Sequence, residues 1–191
     1  MNRVKSFFLA MKHRNFLNSD LSIYKKFLKK NSIFVHIPKT AGRSIINSIY
    51  GNDLKNCGHR TYFFYKCLFT KKRIQNMYTF SFVRNPYSRL FSAYNFLKKG
   101  GENLHDLNAK RDYIDCFKDF NEFINFGLEN AVKNNVIHFV PQYNFIADKG
   151  DISEGLSIIV QPVARAGITL SAIWFIGQFQ GVISPQTPIG S

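Results

Sequence analysis

Twice within its first hundred residues, this chain runs from a short apolar segment into a helix through a turn rich in groups that bind anions. The first unit starts with Ser32–Ile37, an apolar, β-prone run, and continues into Gly42–Tyr50, where Ile45, Ile46 and Ile49 fall at helical spacing. The second starts with Tyr78–Val83. Asn85 and Pro86 then supply an N-cap and a proline for the first helical position, and Leu90, Phe91, Tyr94 and Leu97 form a helical stripe. Farther on, Phe117–Val132 reads as a helix with Phe120, Phe123, Ile124 and Leu128 on one side, and Val136–Val140 reads as a third short strand. Strands alternating with helices predict an α/β fold around a central parallel sheet. In that architecture ligands sit at the carboxyl ends of the strands.

Both turns lie at such an end. In the first, Pro38-Lys39-Thr40-Ala41-Gly42-Arg43-Ser44 opens a helix whose N-terminal N–H groups and dipole attract an anion. Gly42 permits close backbone approach, Lys39 adds a mobile cation, and Thr40 and Ser44 add hydroxyl donors. The lysine precedes the glycine, so this is not the GxxxxGK[ST] loop of ordinary ATPases and GTPases, and a nucleotide kinase is disfavoured. In the second turn Arg84 ends the strand with a planar fork suited to bidentate phosphate binding, and Ser92 lies about two turns into the helix on the face of Ser88 and Arg89.

Taken together, these segments resemble PAPS-dependent sulfotransferases of the carbohydrate and bacterial branches. PAPS is 3′-phosphoadenosine-5′-phosphosulfate. HIPKTAGRS (residues 36–44) is similar to the family's 5′-phosphosulfate loop, and RNPYSRLFSAY (84–94) to its 3′-phosphate motif. The resemblance implies a P-loop NTPase-like three-layer fold with a central parallel sheet. It implies that Lys39 assists the leaving group and that Thr40, Ala41, Gly42, Arg43 and Ser44 line the 5′ end. Arg84 and Ser92 would hold the 3′-phosphate, with Arg89 structural. Related enzymes place a His-x-Thr segment between the motifs, whose histidine is a candidate base, and His59 in Gly58-His59-Arg60-Thr61 is the matching residue. His36 is expected to pack against the loop, and Glu102 is a lesser candidate base. Phe117–Phe123 and His138–Ile146 also look like family segments, so the resemblance covers residues 32–148. PAPS is the implied co-substrate and a hydroxyl on a carbohydrate the implied acceptor. No metal is demanded, because the donor is already activated.

Composition bounds the rest. The 191 residues, 45% hydrophobic, suffice for one domain with a real core. A net charge of +14 points to an anionic partner without choosing among them. Cys57, Cys67 and Cys116 form no CxxC pair and read as reduced thiols. Residues 1–31 read as a basic N-terminal arm, and residues 1–32 carry eight Lys or Arg against one acid, Asp20. Residues 32–154 form the sulfotransferase-like domain. From Gly155 to Ser191 the only charged residue is Arg165, so 155–191 reads as an apolar tail of different character. Within it, Ala166–Ile183 has the length of a membrane span. The family's usual next strand is not recognisable after Asp151. The N-terminal apolar run Phe7–Met11 is too short for a signal peptide, which makes a cytoplasmic enzyme the expectation and membrane association through the tail the alternative. Two rival readings accompany the sulfotransferase: a truncated or inactive member that binds nucleotide without turnover, and a basic module for polyanions such as nucleic acid or acidic glycans. Nucleic acid is not the expected partner.

Overall fold

Both strand–turn–helix units form at the predicted places. The computed structural model describes residues 3–20, 22–51, 58–148, 151–152 and 155–161. Two helices come first: α1 (Arg3–Arg14) and α2 (Ile23–Lys29). Then follow β1 (Ser32–Phe34), α3 (Gly42–Tyr50), α4 (Tyr62–Leu68), α5 (Lys71–Gln75), β2 (Tyr78–Val83) and α6 (Pro86–Lys98). The chain continues through α7 (Leu104–Tyr113), α8 (Phe120–Glu122), a π-helical turn Phe123–Gly127, α9 (Leu128–Lys133) and α10 (Tyr143–Ile146). It ends with β3 (Ala147–Asp148), β4 (Asp151–Ile152) and β5 (Leu156–Val160).

The sheet is parallel, in the order β1-β2-β5, with β2 in the centre. Parallel sheets are covered on both faces, and these strands show it: β1 is buried throughout, and Thr79 to Phe82 are buried in β2. The small polar residues on these strands are hydrogen-bonded. Ser81 Oγ donates to the Val35 carbonyl at 2.8 Å, and Ser32 Oγ lies 2.9 Å from the Tyr50 hydroxyl. The larger apolar cluster gathers Phe27, Phe34, Ile45, Tyr65 and Phe80, among others. A second cluster, around Tyr94, Leu97, Phe123 and Phe139, joins α6 to the segment from α8 to α9.

Two expectations change. Val136–Val140 is a turn, not a strand: the Phe139 and Val140 amides both reach back to the Val136 carbonyl, at 2.8 and 3.3 Å. Its apolar residues fill the two cores without pairing in the sheet. The third parallel strand is β5, inside the segment that composition had set apart as a tail. Leu-Ser-Ile-Ile-Val is the short apolar run expected of a sheet strand, and it registers against Thr79–Val83. The Ala166–Ile183 stretch lies outside the described residues. Among those described, no helix is long and apolar enough to cross a membrane.

The basic segment before residue 32 also contributes side chains to the core. Ala10, Ile23, Tyr24 and Phe27 are buried in the main cluster. Phe27 is 1% exposed, and its ring meets Tyr50 at 4.8 Å and Tyr65 at 5.8 Å between centroids. Phe27→Ala is therefore expected to cost about 3–5 kcal/mol. Denaturant titration checks this; a loss under about 1 kcal/mol would show that α2 contributes little to the core.

Candidate functional site

All three parallel strands deliver their carboxyl ends to one place. β1 leads into Pro38–Ala41, β2 into Arg84, and β5 into Gln161. Gln161 ties them together. Its amide N–H donates to the Val83 carbonyl at 2.8 Å, and its side-chain Nε2 donates to the Thr40 carbonyl at 3.0 Å. No signal in the sequence marked Gln161, because it falls in the segment read as tail.

The first turn is bent sharply. Lys39 (φ 66°) and Ala41 (φ 55°) both occupy the left-handed region, which costs a non-glycine residue about 1 kcal/mol or more each. The loop is held from below. Thr40 Oγ1 donates to the Ile37 carbonyl at 2.9 Å and is fully buried, so this hydroxyl is turned inward. Buried Arg89 donates through Nε to the Pro38 carbonyl at 2.9 Å, and burial brings its pKa down to about 10. This is the structural role expected of Arg89.

Gly42 is needed for a reason nearer than any ligand. A Cβ there would lie 1.9 Å from the His36 ring, which packs over the start of α3. That ring also stacks on Phe34, and burial pushes its pKa down to about 3. No side chain caps α3, whereas α6 is capped: Asn85 Oδ1 accepts from the Tyr87 and Ser88 amides at 3.1 and 3.2 Å. The first turn therefore offers backbone donors, and the second offers side chains.

Arg43 and Ser44 are exposed on the first turn of α3. Arg43 pairs with Glu102 in the loop after α6. The Lys39 ammonium lies 3.9 Å above the Phe96 ring centroid. Burial lowers its pKa, Glu102 and Asp106 oppose that shift, and Arg84 and Arg43 add to it. On the second turn, the Arg84 backbone is clamped from both sides by Gln142, whose Oε1 accepts from Arg84 N at 3.0 Å and whose Nε2 donates to Arg84 O at 2.8 Å. Arg84 Nε donates to Ser88 Oγ at 3.1 Å. Ser92 is half-buried on α6.

His59 joins the first turn. Its Nδ1 lies 3.3 Å from the His36 carbonyl, and the two rings are 4.4 Å apart between centroids. Burial pushes its pKa down to about 4, with the His36 carbonyl opposing and His138 adding to the shift. Behind it lies a pair that the sequence did not reveal. His138 Nε2 sits 2.9 Å from Asp106 Oδ1, both residues buried, and the His138 ring packs 5.0 Å from Phe96 and 6.2 Å from His59. Asp106 Oδ2 also accepts from the Glu102 amide and from Asn103 Nδ2, at 3.0 and 2.8 Å. One carboxylate thus fixes both His138 and the loop bearing Glu102. The two residues are 32 positions apart with no motif between them, so spacing could not join them.

Among the described residues no cluster of His, Cys, Asp and Glu could hold a metal ion. No curated protein and no solved structure matches the chain significantly. One family model matches, described as the sulfotransferase family, over residues 24–153, which is more than half of the chain. Both strand-to-helix turns and the Asp106–His138 pair lie within that match, and the chain belongs to the sulfotransferase family.

Proposed function

We propose that this sulfotransferase takes its sulfuryl group from PAPS and delivers it to a hydroxyl, on a carbohydrate acceptor. The observation that carries the reading is the convergence at one sheet edge of two differently built anion sites. PAPS carries two separate anionic groups, a 5′-phosphosulfate and a 3′-phosphate. The uncapped start of α3, with Lys39, Gly42, Arg43 and Ser44, suits the group that must gain charge as the S–O bond breaks. Arg84 and Ser92, on a strand end and a capped helix, suit a phosphate that is only held. Thr40 and Ala41 contribute backbone to the loop.

In the reaction the acceptor oxygen forms a bond to sulfur in line with the departing 5′-phosphate oxygen, and the bond to that oxygen breaks. Adenosine 3′,5′-bisphosphate leaves, and the hydroxyl proton passes to a base. Lys39 neutralises charge on the leaving oxygen. His59 is the base. With Nδ1–H donated to the His36 carbonyl, its Nε2 keeps a lone pair.

The pH dependence has a definite sign. A histidine lowered to about 4 is neutral, and able to take a proton, at all pH values above that. The profile of kcat/KM, which reports the free enzyme, is expected to rise through pH about 4 and show no His59 limb near 6.5. A limb near 6.5 that disappears in His59→Gln would remove His59 from the buried position described above. The reading as a whole is tested by incubating the chain with PAPS and a panel of glycans and detecting sulfated products by mass spectrometry. The expected result is product with the native chain and none with Arg84→Ala; equal product from both overturns the assignment.

A further inference from the structure

A helix of twelve residues is marginal by itself in water, yet α1 is fixed in one orientation by its inner side. Arg3 Nη1 pairs with Asp148 at 2.6 Å, and its guanidinium lies 3.9 Å over the Phe63 ring. At the other end Arg14 Nη2 donates to the Cys67 carbonyl at 3.0 Å. The His13 ring packs edge-on against Tyr24 and Phe64, and Ala10 is fully buried.

That anchoring determines what faces outward. Val4, Phe7 and Phe8 are 63%, 45% and 67% exposed. Spaced i, i+3, i+4, they form one exposed stripe; Phe7 borders the side of Ala10, Phe8 faces away from it, and exposed Lys5 and Lys12 run along the Phe8 edge. An apolar stripe edged by lysines, on a chain of net charge +14, has the chemistry of a helix that lies in a membrane interface.

We propose that the outer face of α1 docks on an anionic lipid membrane. Phe7 and Phe8 enter the headgroup boundary, and Lys5 and Lys12 meet the lipid phosphates. A second copy of the chain fits the face poorly, because it would set the same lysines and the same excess charge against each other. A soluble polyanion would engage the lysines and leave both phenylalanines in water. The proposal stands on α1 alone and is independent of the sulfotransfer chemistry.

The test is co-sedimentation of the full chain with vesicles of phosphatidylcholine containing about one third phosphatidylserine, against pure phosphatidylcholine. Binding to the anionic vesicles is expected, and Phe7→Ser with Phe8→Ser should reduce it roughly tenfold or more. Phe126→Ser, on a still more exposed ring in the π-helical turn, should leave binding unchanged and so controls for general stickiness. Both altered side chains are on the surface, and thermal melting confirms that the variants remain folded. Three results overturn the proposal. They are absence of vesicle binding, binding undiminished by the double substitution (which assigns it to charge alone or to residues 162–191), and lipid-free self-association lost in the double variant.

Discussion

Lys39→Ala is expected to slow sulfuryl transfer by roughly 10²–10³-fold while leaving the protein folded. The kinetic loss follows from position. Lys39 lies in the turn after β1, close to the uncapped start of α3, where the proposed reaction would develop charge on the leaving 5′-phosphate oxygen. Its removal takes away a cation that matters more in the transition state than in the ground state, so kcat should fall more than KM changes. The fold should survive because the ammonium's contact is the Phe96 ring, worth about 1 kcal/mol. The backbone adds a sharper test. At φ 66°, alanine keeps the left-handed strain and glycine relieves it. Lys39→Gly should therefore be as slow as Lys39→Ala yet more stable by about 1 kcal/mol. Steady-state kinetics alongside thermal melting separates the two effects. A Lys39→Ala enzyme with native kcat would remove the lysine from the reaction.

Gly42→Ala is expected to damage the same turn through packing. The added methyl would sit 1.9 Å from His36 Cδ2 and 2.0 Å from its Nε2. The ring has nowhere to swing, since it stacks on Phe34 and lies against His59. Either His36 or the start of α3 must move, at a cost of about 2–3 kcal/mol, with a fall in Tm of about 5–10 °C. Displacing His36 also shifts the carbonyl that faces His59 Nδ1, so activity should fall beyond the loss of stability. Replacing His36 with alanine in the Gly42→Ala background should restore part of the melting temperature, because it removes the colliding ring. A Gly42→Ala protein that melts like the native chain would show that the ring is not wedged.

Much of this site was legible because its chemistry is local. A strand end, a glycine and a lysine within a few residues mark a candidate anion-binding turn, and α3, β2 and the Asn85-Pro86 cap fall where their patterns place them. What stayed hidden depends on contacts between distant residues. Gln142 clamps Arg84 from 58 positions away, and Gln161 reaches Thr40 from 121. The charged residues expected of a globular segment are missing from the sequence after Gly155, and that absence conceals β5, whose own five residues are an ordinary apolar strand sequence. At Val136–Val140 the cause is the opposite: an apolar run fits a strand, and a turn with inward side chains buries it equally well. The helix predicted over Phe117–Val132 begins at Phe120 and passes through a π-helical turn at Phe123–Gly127. A Cβ on Gly127 would lie 2.3 Å from the Phe117 ring, a close approach that periodicity does not register.

The most direct test of the account is calorimetric titration of the chain with adenosine 3′,5′-bisphosphate, with ADP for comparison. The two ligands differ in where the second phosphate sits, so the contrast isolates the site assigned to Arg84 and Ser92. The account predicts clear preference for the 3′,5′-bisphosphate, lost in Arg84→Ala. Equal binding of both nucleotides, or binding of neither by a folded chain, would contradict it.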